Sequence, residues 1–460
     1  MSSTAALQPI ADRVAATLEA LPEGVEADAR VVYSNWGTMR FANSRIHQPH
    51  LERATTLSIR IWEDQRLGTA TSVDTSKEGI ALLLRRARAL AHVAPPERKF
   101  PGFPQDGGRS MREVGYSTTT ARLSPEAQVR LAERALRAAE DARPHSRVSG
   151  AVNVGERQLV VVNSNGLSRT TRRSMAQASV LVERPDDDPP VSGWSEALAW
   201  SADRLDTSLL GREAAERMAS APPAPVEAGK YRVLLAGPAA SELFGWLCYL
   251  GFSGHSEQEG WSCLRRYRGR RIGPADLSVI DDPRASASLP QAIDYEGVVK
   301  RPVPLVEEGV ARAAVTDLVT AGRLGVHTSG HAQPPEWPEG DAGPLPSQTL
   351  VAGGSANWDE LVRETRRGLL VTRFHYVRVV HPGKGILTGM TRDGTYRIER
   401  GEIVGPVRNL RFTESVLTAI KHLELLGKDR RCYGDERGTF AITTPPVVTG
   451  EFRFTSATLF

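Results

Sequence analysis

Residues 231–250 read Tyr-Arg-Val-Leu-Leu-Ala-Gly-Pro-Ala-Ala-Ser-Glu-Leu-Phe-Gly-Trp-Leu-Cys-Tyr-Leu, followed by a glycine-rich loop, an arginine cluster and Leu277-Ser-Val-Ile-Asp-Asp-Pro283. A short apolar strand at 232–236 meets a Gly-Pro turn, and an almost wholly apolar helix follows. Pro238 suits the first helical turn, where a missing N–H costs nothing. Leu243, Phe244, Trp246, Leu247, Tyr249 and Leu250 leave no polar face, which predicts a buried helix. A buried helix that opens onto a glycine loop is a candidate site.

Around this stretch the chain is long and ordinary in composition. Its 460 residues are too many for one ordinary domain, and 40% apolar with 24% charged residues is normal for a folded protein. A net charge of +4 is a mild bias over that length and does not by itself imply nucleic acid. Three cysteines, Cys248, Cys263 and Cys432, are too few and too scattered for a disulfide framework or a CxxC zinc site. The N-terminal residues lack a basic segment followed by a long apolar run, and nowhere do eighteen apolar residues run together. A cytoplasmic protein without a membrane span is expected.

Upstream, Ile10, Val14, Leu18 and Leu21 have helical spacing. Short strands are predicted at 29–33, 39–44, 55–62 and 67–73, with Asn35-Trp-Gly37 and Glu63-Asp-Gln65 as turns. A helix at 77–92 ends at Pro95-Pro96, and residues 96–120 read as a long surface loop. Ser124-Pro125-Glu126 starts a helix that runs to about residue 141. Strands follow at 150–154 and 158–163, then a turn at 163–166 and a strand near 175–183; the chain breaks at 186–190, and 207–218 is helical. The proline-rich segment 221–225, read as stiff and unable to pair in a sheet, marks the boundary between residues 1–221 and 226–460.

Downstream, 310–320 is helix or strand, Asn357-Trp-Asp-Glu360 is a capping box, and 369–380 is a long strand. Gly389-Met-Thr-Arg-Asp-Gly394 is expected to turn between strands. Thr413 is expected to cap a last helix that is stapled by Phe412 and Leu417 and ended by Gly427. Strands at 440–443 and 450–455 close the chain. The fold class is α+β: an N-terminal α/β domain with an antiparallel sheet and helices, and a β-rich C-terminal domain.

The candidates for chemistry are sparse. His327 and His331 lie four apart, but Gly325, Gly330 and Pro334-Pro335 argue against a helix, so His327, Thr328, Ser329 and His331 are expected to line a ligand cleft rather than a metal site. His255-Ser-Glu257-Gln-Glu259 reads as a polar loop. His375 and His381, six apart on one strand, should face the same side. Arg265, Arg266, Arg268, Arg270 and Arg271, with Tyr267 among them, could hold a carboxylate or phosphate. No GxSxG, Walker or Rossmann motif occurs.

The order of these pieces resembles the TldD/PmbA family, known as modulators of DNA gyrase and as metallopeptidases. The matching pieces in the second half are the strand and helix through Leu243-Phe244, the 277–283 segment, Asp294-Tyr-Glu-Gly-Val298, and Leu324-Gly-Val-His-Thr-Ser-Gly-His-Ala332. Gly368-Leu-Leu-Val-Thr372, Thr388-Gly-Met-Thr-Arg-Asp-Gly394 and Ile398-Glu-Arg-Gly-Glu-Ile403 continue the series. Leu67-Gly-Thr-Ala-Thr71 fits in the first half. The resemblance implies a two-domain architecture. In TldD-like members the buried helix carries His-Glu-x-x-x-His, and a cysteine near the C-terminus completes a zinc site. Histidines five apart are separated by roughly 140° on an ideal helix. Here Gly245, Trp246 and Leu250 stand at the His, Glu and His positions, and none can do the work. Cys432 lies near the cysteine position but is one thiol without the histidines.

The resemblance therefore implies the TldE (PmbA) branch: a zinc-free subunit that pairs with a TldD-like metallopeptidase, whose zinc and glutamate do the chemistry on flexible peptides. This chain would complete the chamber and bind peptide through His255, His327, Thr328, Ser329 and His331, with Arg265 and Arg266 attracting a carboxylate; alone it could form a homodimer. Two other readings stand beside it. One is a repurposed enzyme that acts alone, with the former zinc cavity holding another ligand and His255, Glu257, His327 and His331 as acid/base groups. The other is a nucleic-acid or gyrase-associated regulator, to which the mild charge lends little.

Overall fold

The computed structural model describes residues 3–105, 113–184, 186–187, 190–334 and 343–458. Parts of three sequence-based readings lie outside those residues: 106–112 of the long loop, 188–189 of the break, and Pro335.

The first half opens with α1 (Ser3–Glu19), the antiparallel strands β1 (Glu26–Ala42), β2 (Arg45–Glu63) and β3 (Arg66–Ser72), and α2 (Lys77–Val93). It continues through α3 (Thr118–Ala121), α4 (Pro125–Ala142), β4 (Arg147–Asn163), β5 (Ser168–Arg184), β6 (Val191–Ala199) and α5 (Thr207–Glu216). The strands form one sheet in the order β3-β2-β1-β4-β5-β6. Asn43-Ser44 and Asp64-Gln65 make the tight turns, all four with φ between 49° and 59°, the region two-residue hairpin turns require.

Asn35-Trp-Gly37 is not a turn. These residues pair with both β2 and β4 in mid-strand. Gly37 is there because Gln128 of α4 occupies the space, 2.2 Å from where a Cβ would sit. The strands read at 150–154 and 158–163 are likewise one strand, β4. The helix expectations hold for α2 and α4; Ser124 caps α4 by accepting from the Ala127 N–H at 3.3 Å.

The sheet is covered on both faces. On one, Val31, Ile59, Val160 and Val162 pack against Val14 and Leu18 of α1 and Leu83 of α2, while Val152, Val154 and Val180 pack against α4 and α5. On the other, Val32, Leu159 and Val161 meet Ile293, Tyr295 and Ala332, and Trp36, Met175 and Leu198 meet Leu289 and Cys432. Burial on both faces explains why the end of β4, Leu159-Val-Val-Val162, is a continuous apolar run rather than an alternation.

The second half runs β7 (Gly229–Leu235), α6 (Gly237–Gly251), α7 (Gly254–Gln258), β8 (Val279–Asp281), β9 (Val303–Glu307), β10 (Val310–Ala311), α8 (Leu318–Leu324) and β11 (Gln348–Val351). Then come α9 (Trp358–Thr365), β12 (Arg367–His381), β13 (Ile386–Glu399), β14 (Glu402–Pro406), β15 (Leu410–Ser415), α10 (Val416–Lys421), β16 (Leu423–Leu426), β17 (Arg431–Gly434), β18 (Ala441–Thr444) and β19 (Val447–Ala457). One sheet has the order β10-β9-β8-β11-β18-β17. Another follows β12-β7-β19-β15-β13, and a β12–β13 pairing closes it into a barrel.

Several expectations fail here for identifiable reasons. Gly389–Gly394 is not a turn, because β13 runs through it. Thr413 lies in β15, and the last helix begins after Ser415, since residues 410–415 pair with β13 and β19. Leu423 belongs to β16 rather than that helix. The 310–320 segment divides into β10 and a helix capped by Asp317. Ala224 does pair despite its proline neighbours, because it keeps its own N–H: it donates to Pro406 O and accepts from Arg408 N, both at 3.0 Å. Bulges and a positive φ of 51° at Tyr376 interrupt β12, so the alternation that would put His375 and His381 on one side does not hold between them.

The two halves are tied by arginines. Arg60 bridges Asp28 (2.7 Å) and Glu296 (2.8 Å), with side-chain exposures of 11%, 1% and 2%. Arg30 donates to Tyr295 O at 2.5 Å and Arg169 to Gly297 O at 2.9 Å. The Asp294-Tyr-Glu-Gly segment is thus a clamp for the first sheet. Burial pushes the Glu296 carboxyl upward, with Arg60 opposing. We read Glu296 as ionised: one oxygen accepts from Arg60 and the other from Leu318 N–H at 2.8 Å, an arrangement of two donors that suits a carboxylate.

A second tie joins α5 to β17. Glu213 accepts two hydrogen bonds from Arg431, both 2.7 Å. Burial opposes its charge, but Arg431, Arg217 and Ser195 hold its carboxyl at about 2, below the ordinary 4.5. A depressed carboxylate stabilises the fold fully above its unfolded value, and the stabilisation is lost as pH falls through the folded value. Glu213→Gln should therefore cost about 2–3 kcal/mol at pH 7 and flatten the stability loss between pH 4.5 and 2. Urea unfolding at several pH values reads both effects.

Candidate functional site

Helix α6 lies between the barrel and the β8–β11–β18 sheet. Leu243, Phe244, Leu247, Cys248 and Leu250 are buried in the core that both share. Its start fits tightly: a Cβ on Gly237 would sit 1.9 Å from the Tyr433 hydroxyl oxygen. The expectation of a helix without an open face needs correction. Ser241, Glu242, Gly245, Trp246 and Tyr249 are only half-buried and share one side. Trp246 donates to Glu242 Oε1 at 3.1 Å. A row of rings extends from it, Trp246 to Tyr249 at 5.8 Å, Tyr249 to Trp261 at 6.1 Å and Trp261 to His255 at 6.2 Å.

The positions singled out for a metal fall on different faces of this helix. Gly245 lies on the open side, with Ile442 Cγ1 the nearest heavy atom to its would-be Cβ at 4.0 Å. Leu250 is 1% exposed in the core. Cys432 lies across a strand from both: Tyr433 and its neighbour Ile442 face α6, while Cys432 packs with Trp36, Met175 and Leu198. Burial pushes all three thiols up to about 12, which keeps them protonated and poor ligands. Glycine, indole and leucine offer no donor for zinc, so the residues here do not fit a His-Glu-x-x-x-His ion. Because the space beside Gly245 is open, Gly245→Ala should stabilise the helix by about 0.5–1 kcal/mol. Gly251→Ala, whose Cβ would sit 2.6 Å from the buried Leu264 Cδ1, should destabilise it; thermal melts of the two variants give the comparison.

Charged groups that the sequence reading missed gather beside the open face. Strand β6 turns its even-numbered residues toward the second half: Ser192 donates to Asp393 at 2.7 Å, and Trp194 lies under the Arg373 guanidinium at 3.9 Å. Arg373 Nε is 3.2 Å from Asp393 Oδ2. Burial pushes the Glu196 carboxyl up to about 7, with the charge of Glu242 adding to it and Arg373 opposing. Burial raises Glu242 as well, against Trp246, Arg373 and Arg378. Two carboxyls whose proton affinity burial raises, set beside arginines, can take part in proton transfer or receive a cationic group. The period-2 pattern of β6 carried the only signal for Glu196, and that strand was not read.

The candidate cleft residues are scattered. His331 is fully buried: its Nε2 is 2.9 Å from Asp281 Oδ1 and its Nδ1 3.0 Å from Ser329 Oγ. Burial opposes the charge of Asp281, but His331 and Lys300 hold it at about 2. His327 is exposed, while Thr328 and Ser329 are half-buried and hydrogen-bond to Thr316. His255 lies in α7, a short helix rather than a loop. Glu257 pairs with Arg268, 2.6 Å from its Nε, so, with His331 held by Asp281, two of the four acid/base groups of the repurposed-enzyme reading are already engaged. Arg268 also lies over Phe252, and Arg271 donates to Glu308 O; Arg265, Arg266 and Arg270 are exposed. The arginine run is partly internal structure.

Comparison with known proteins agrees with this architecture. Three family models match in order: PmbA/TldA metallopeptidase domain 1 over residues 27–91, the central domain over 119–221 and the C-terminal domain over 228–456. A metalloprotease of Methanothermobacter thermautotrophicus is 30% identical over 240 residues, half of this chain and half of that protein's length. The metalloprotease PmbA of Escherichia coli O157:H7 is 24% identical over 392 residues, 81% of each chain. The crystal structure of TldE from Thermococcus kodakarensis has a TM-score of 0.86 at 19% identity, covering 97% of this chain and 100% of that one. A Thermotoga maritima structure described as a modulator of a DNA gyrase has a TM-score of 0.82 at 20% identity, covering 98% and 100%. In the order of its matched segments and in its fold, the chain belongs to the PmbA/TldD metallopeptidase family and is TldE-like.

Proposed function

We propose that this chain is the non-catalytic, zinc-free subunit of a two-chain peptidase, paired with a TldD-like subunit that supplies the zinc and the catalytic glutamate. The observation that carries the reading is the donor set of α6. Gly245, Trp246 and Leu250 replace every ligand and base of the family motif, and Cys432 packs on the far side of β17. The role left to this chain is to wall the chamber and hold the peptide. The open side of α6 suits that role, since it offers two aromatic rings and the Glu196–Glu242 pair to an extended substrate. The test is co-expression with a TldD-like protein, co-purification, and cleavage of an unfolded peptide by each chain alone and by both together. Activity only in the mixture supports the proposal. A lone chain that cleaves peptide, or two chains that never associate, overturns it.

A further inference from the structure

At one end of the open side of α6 is a notch whose lining includes Glu242, Trp246, Phe374, Phe412, Glu414 and Phe452. Its volume is ≈ 10 Å³, room for one water-sized group such as an ammonium head. Its floor is aromatic: the ring centroids of Phe374, Phe412 and Phe452 lie 4.8–5.5 Å apart. Its charged lining residues, Glu242 and Glu414, are both carboxylates. Glu242 Oε1 accepts from Trp246, and among the described residues its Oε2 accepts no hydrogen bond. Glu414 accepts from the Ser415 N–H at 2.6 Å and from the Arg453 N–H at 2.9 Å, one on each oxygen, so each oxygen keeps a second lone pair. The neighbouring cations are engaged elsewhere. Arg373 lies 3.2 Å from Asp393 and Lys230 2.6 Å from Glu451, while Arg378 is exposed and donates to Val377 O. Burial pushes both carboxyls upward, with Arg373 and Arg378 opposing at Glu242 and Lys230 opposing at Glu414. Two carboxylates over aromatic rings recognise a cation.

The rings lead from this notch to a cation. Trp246 to Tyr249 is 5.8 Å and Tyr249 to Trp261 is 6.1 Å, close to the roughly 6.6 Å between alternate residues of an extended chain. Two such steps span about four residues. Beside Trp261, Arg265 Nη1 lies 2.9 Å from where a Cβ on Gly260 would sit. Arg265 is exposed and, among the described residues, has no carboxylate oxygen within 4 Å. The acids of segment 255–271 are otherwise placed: Glu257 pairs with Arg268, and Glu259 accepts from Gln258 at 2.9 Å.

We propose that this face is a peptide track selective for a charge pattern. A cationic side chain seats its head in the Glu242–Glu414 notch, the chain runs extended over the rings, and a carboxylate about four residues away meets Arg265. The proposal rests on the reading of this chain as the peptide-holding subunit and adds the class of peptide that it holds.

The test is fluorescence anisotropy with labelled serine–alanine decapeptides. One carries lysine and glutamate four residues apart; the others replace the lysine by methionine, the glutamate by glutamine, or both. Binding is measured to the isolated chain and to its complex with a TldD-like partner stripped of zinc. Loss of either charge should weaken binding about tenfold. Glu242→Gln, whose amide oxygen still accepts from Trp246, should erase the penalty for losing the lysine and keep that for losing the glutamate. Arg265→Gln should do the converse. Circular dichroism checks each fold, and Glu414→Gln replaces Glu242→Gln if that variant does not fold. Equal affinity for the four peptides, or penalties unchanged in the variants, would overturn the proposal. The two readings fail separately: the crossed pattern on a chain that never joins a partner keeps the track and refutes the two-chain peptidase, and a peptidase complex without charge preference does the reverse.

Discussion

Arg60→Ala should cost about 3–5 kcal/mol of stability, the range for removing one partner from a buried ion pair. Glu296 would keep only its backbone donor, Leu318 N–H, and Asp28 would keep Arg30, 3.0 Å away. The loss should appear as a lower urea midpoint and as faster proteolysis between the halves, because Arg60 lies in β2 and Glu296 in the second half. The double variant Arg60→Met with Glu296→Met should recover most of the loss. It removes both charges and fills the space with apolar side chains, an exchange that is often neutral or stabilising. A double variant as unstable as the single would mean that the packing of the clamp, and not its charge, holds the halves together. Phe103, whose ring lies 4.9 Å from the Arg60 guanidinium, stays in place in both variants and so does not confuse the comparison.

Local chemistry was legible in the sequence wherever one element carried its own signal. Ser124-Pro-Glu started α4, Asn357 with Glu360 made the capping box at α9, and Asn163 to Gly166 made its turn. The failures share one cause: turn-like residues held in strands by partners distant in sequence. Gly37 extends because Gln128 fills its side, and Gly389–Gly394 extends because β15 and β12 flank it. Thr413 looked like a cap, yet it pairs with Thr388 on the neighbouring strand β13. No local pattern reveals a neighbour dozens of residues away. The site divides in the same way. The unsuitability of Gly245, Trp246 and Leu250 for zinc could be read from their side chains alone. The grouping of Glu196, Glu242 and Arg373 could not, because it depends on how β6, α6 and β12 come together. His331 misled for a related reason: a histidine in a glycine-rich loop suggests an open cleft, but this one is buried against Asp281.

If the chain is the zinc-free half of a peptidase, metal content and activity should separate cleanly between the two subunits. The purified complex with a TldD-like partner should hold one zinc per pair, and the isolated chain none in stoichiometric amount. Changing Gly245, Trp246 and Leu250 to alanine one at a time should leave the zinc content of the complex unaltered, since none of the three side chains is a ligand. Activity should respond differently. Omitting this chain should lower peptide cleavage by about a hundredfold or more, the scale of losing substrate positioning. Trp246→Ala, which removes a half-buried ring on the open face and the hydrogen bond to Glu242, should raise KM more than it lowers kcat, since it removes contact with substrate and not with the reacting atoms. Glu196→Gln gives a further discrimination. Its carboxyl titrates near 7 in the fold, so a contribution from its charge would appear as a change in the pH profile of KM around neutrality, and the amide would flatten it. Zinc bound by the lone chain, or a kcat that collapses in Trp246→Ala while zinc is retained, would place chemistry on this subunit and refute the division of labour.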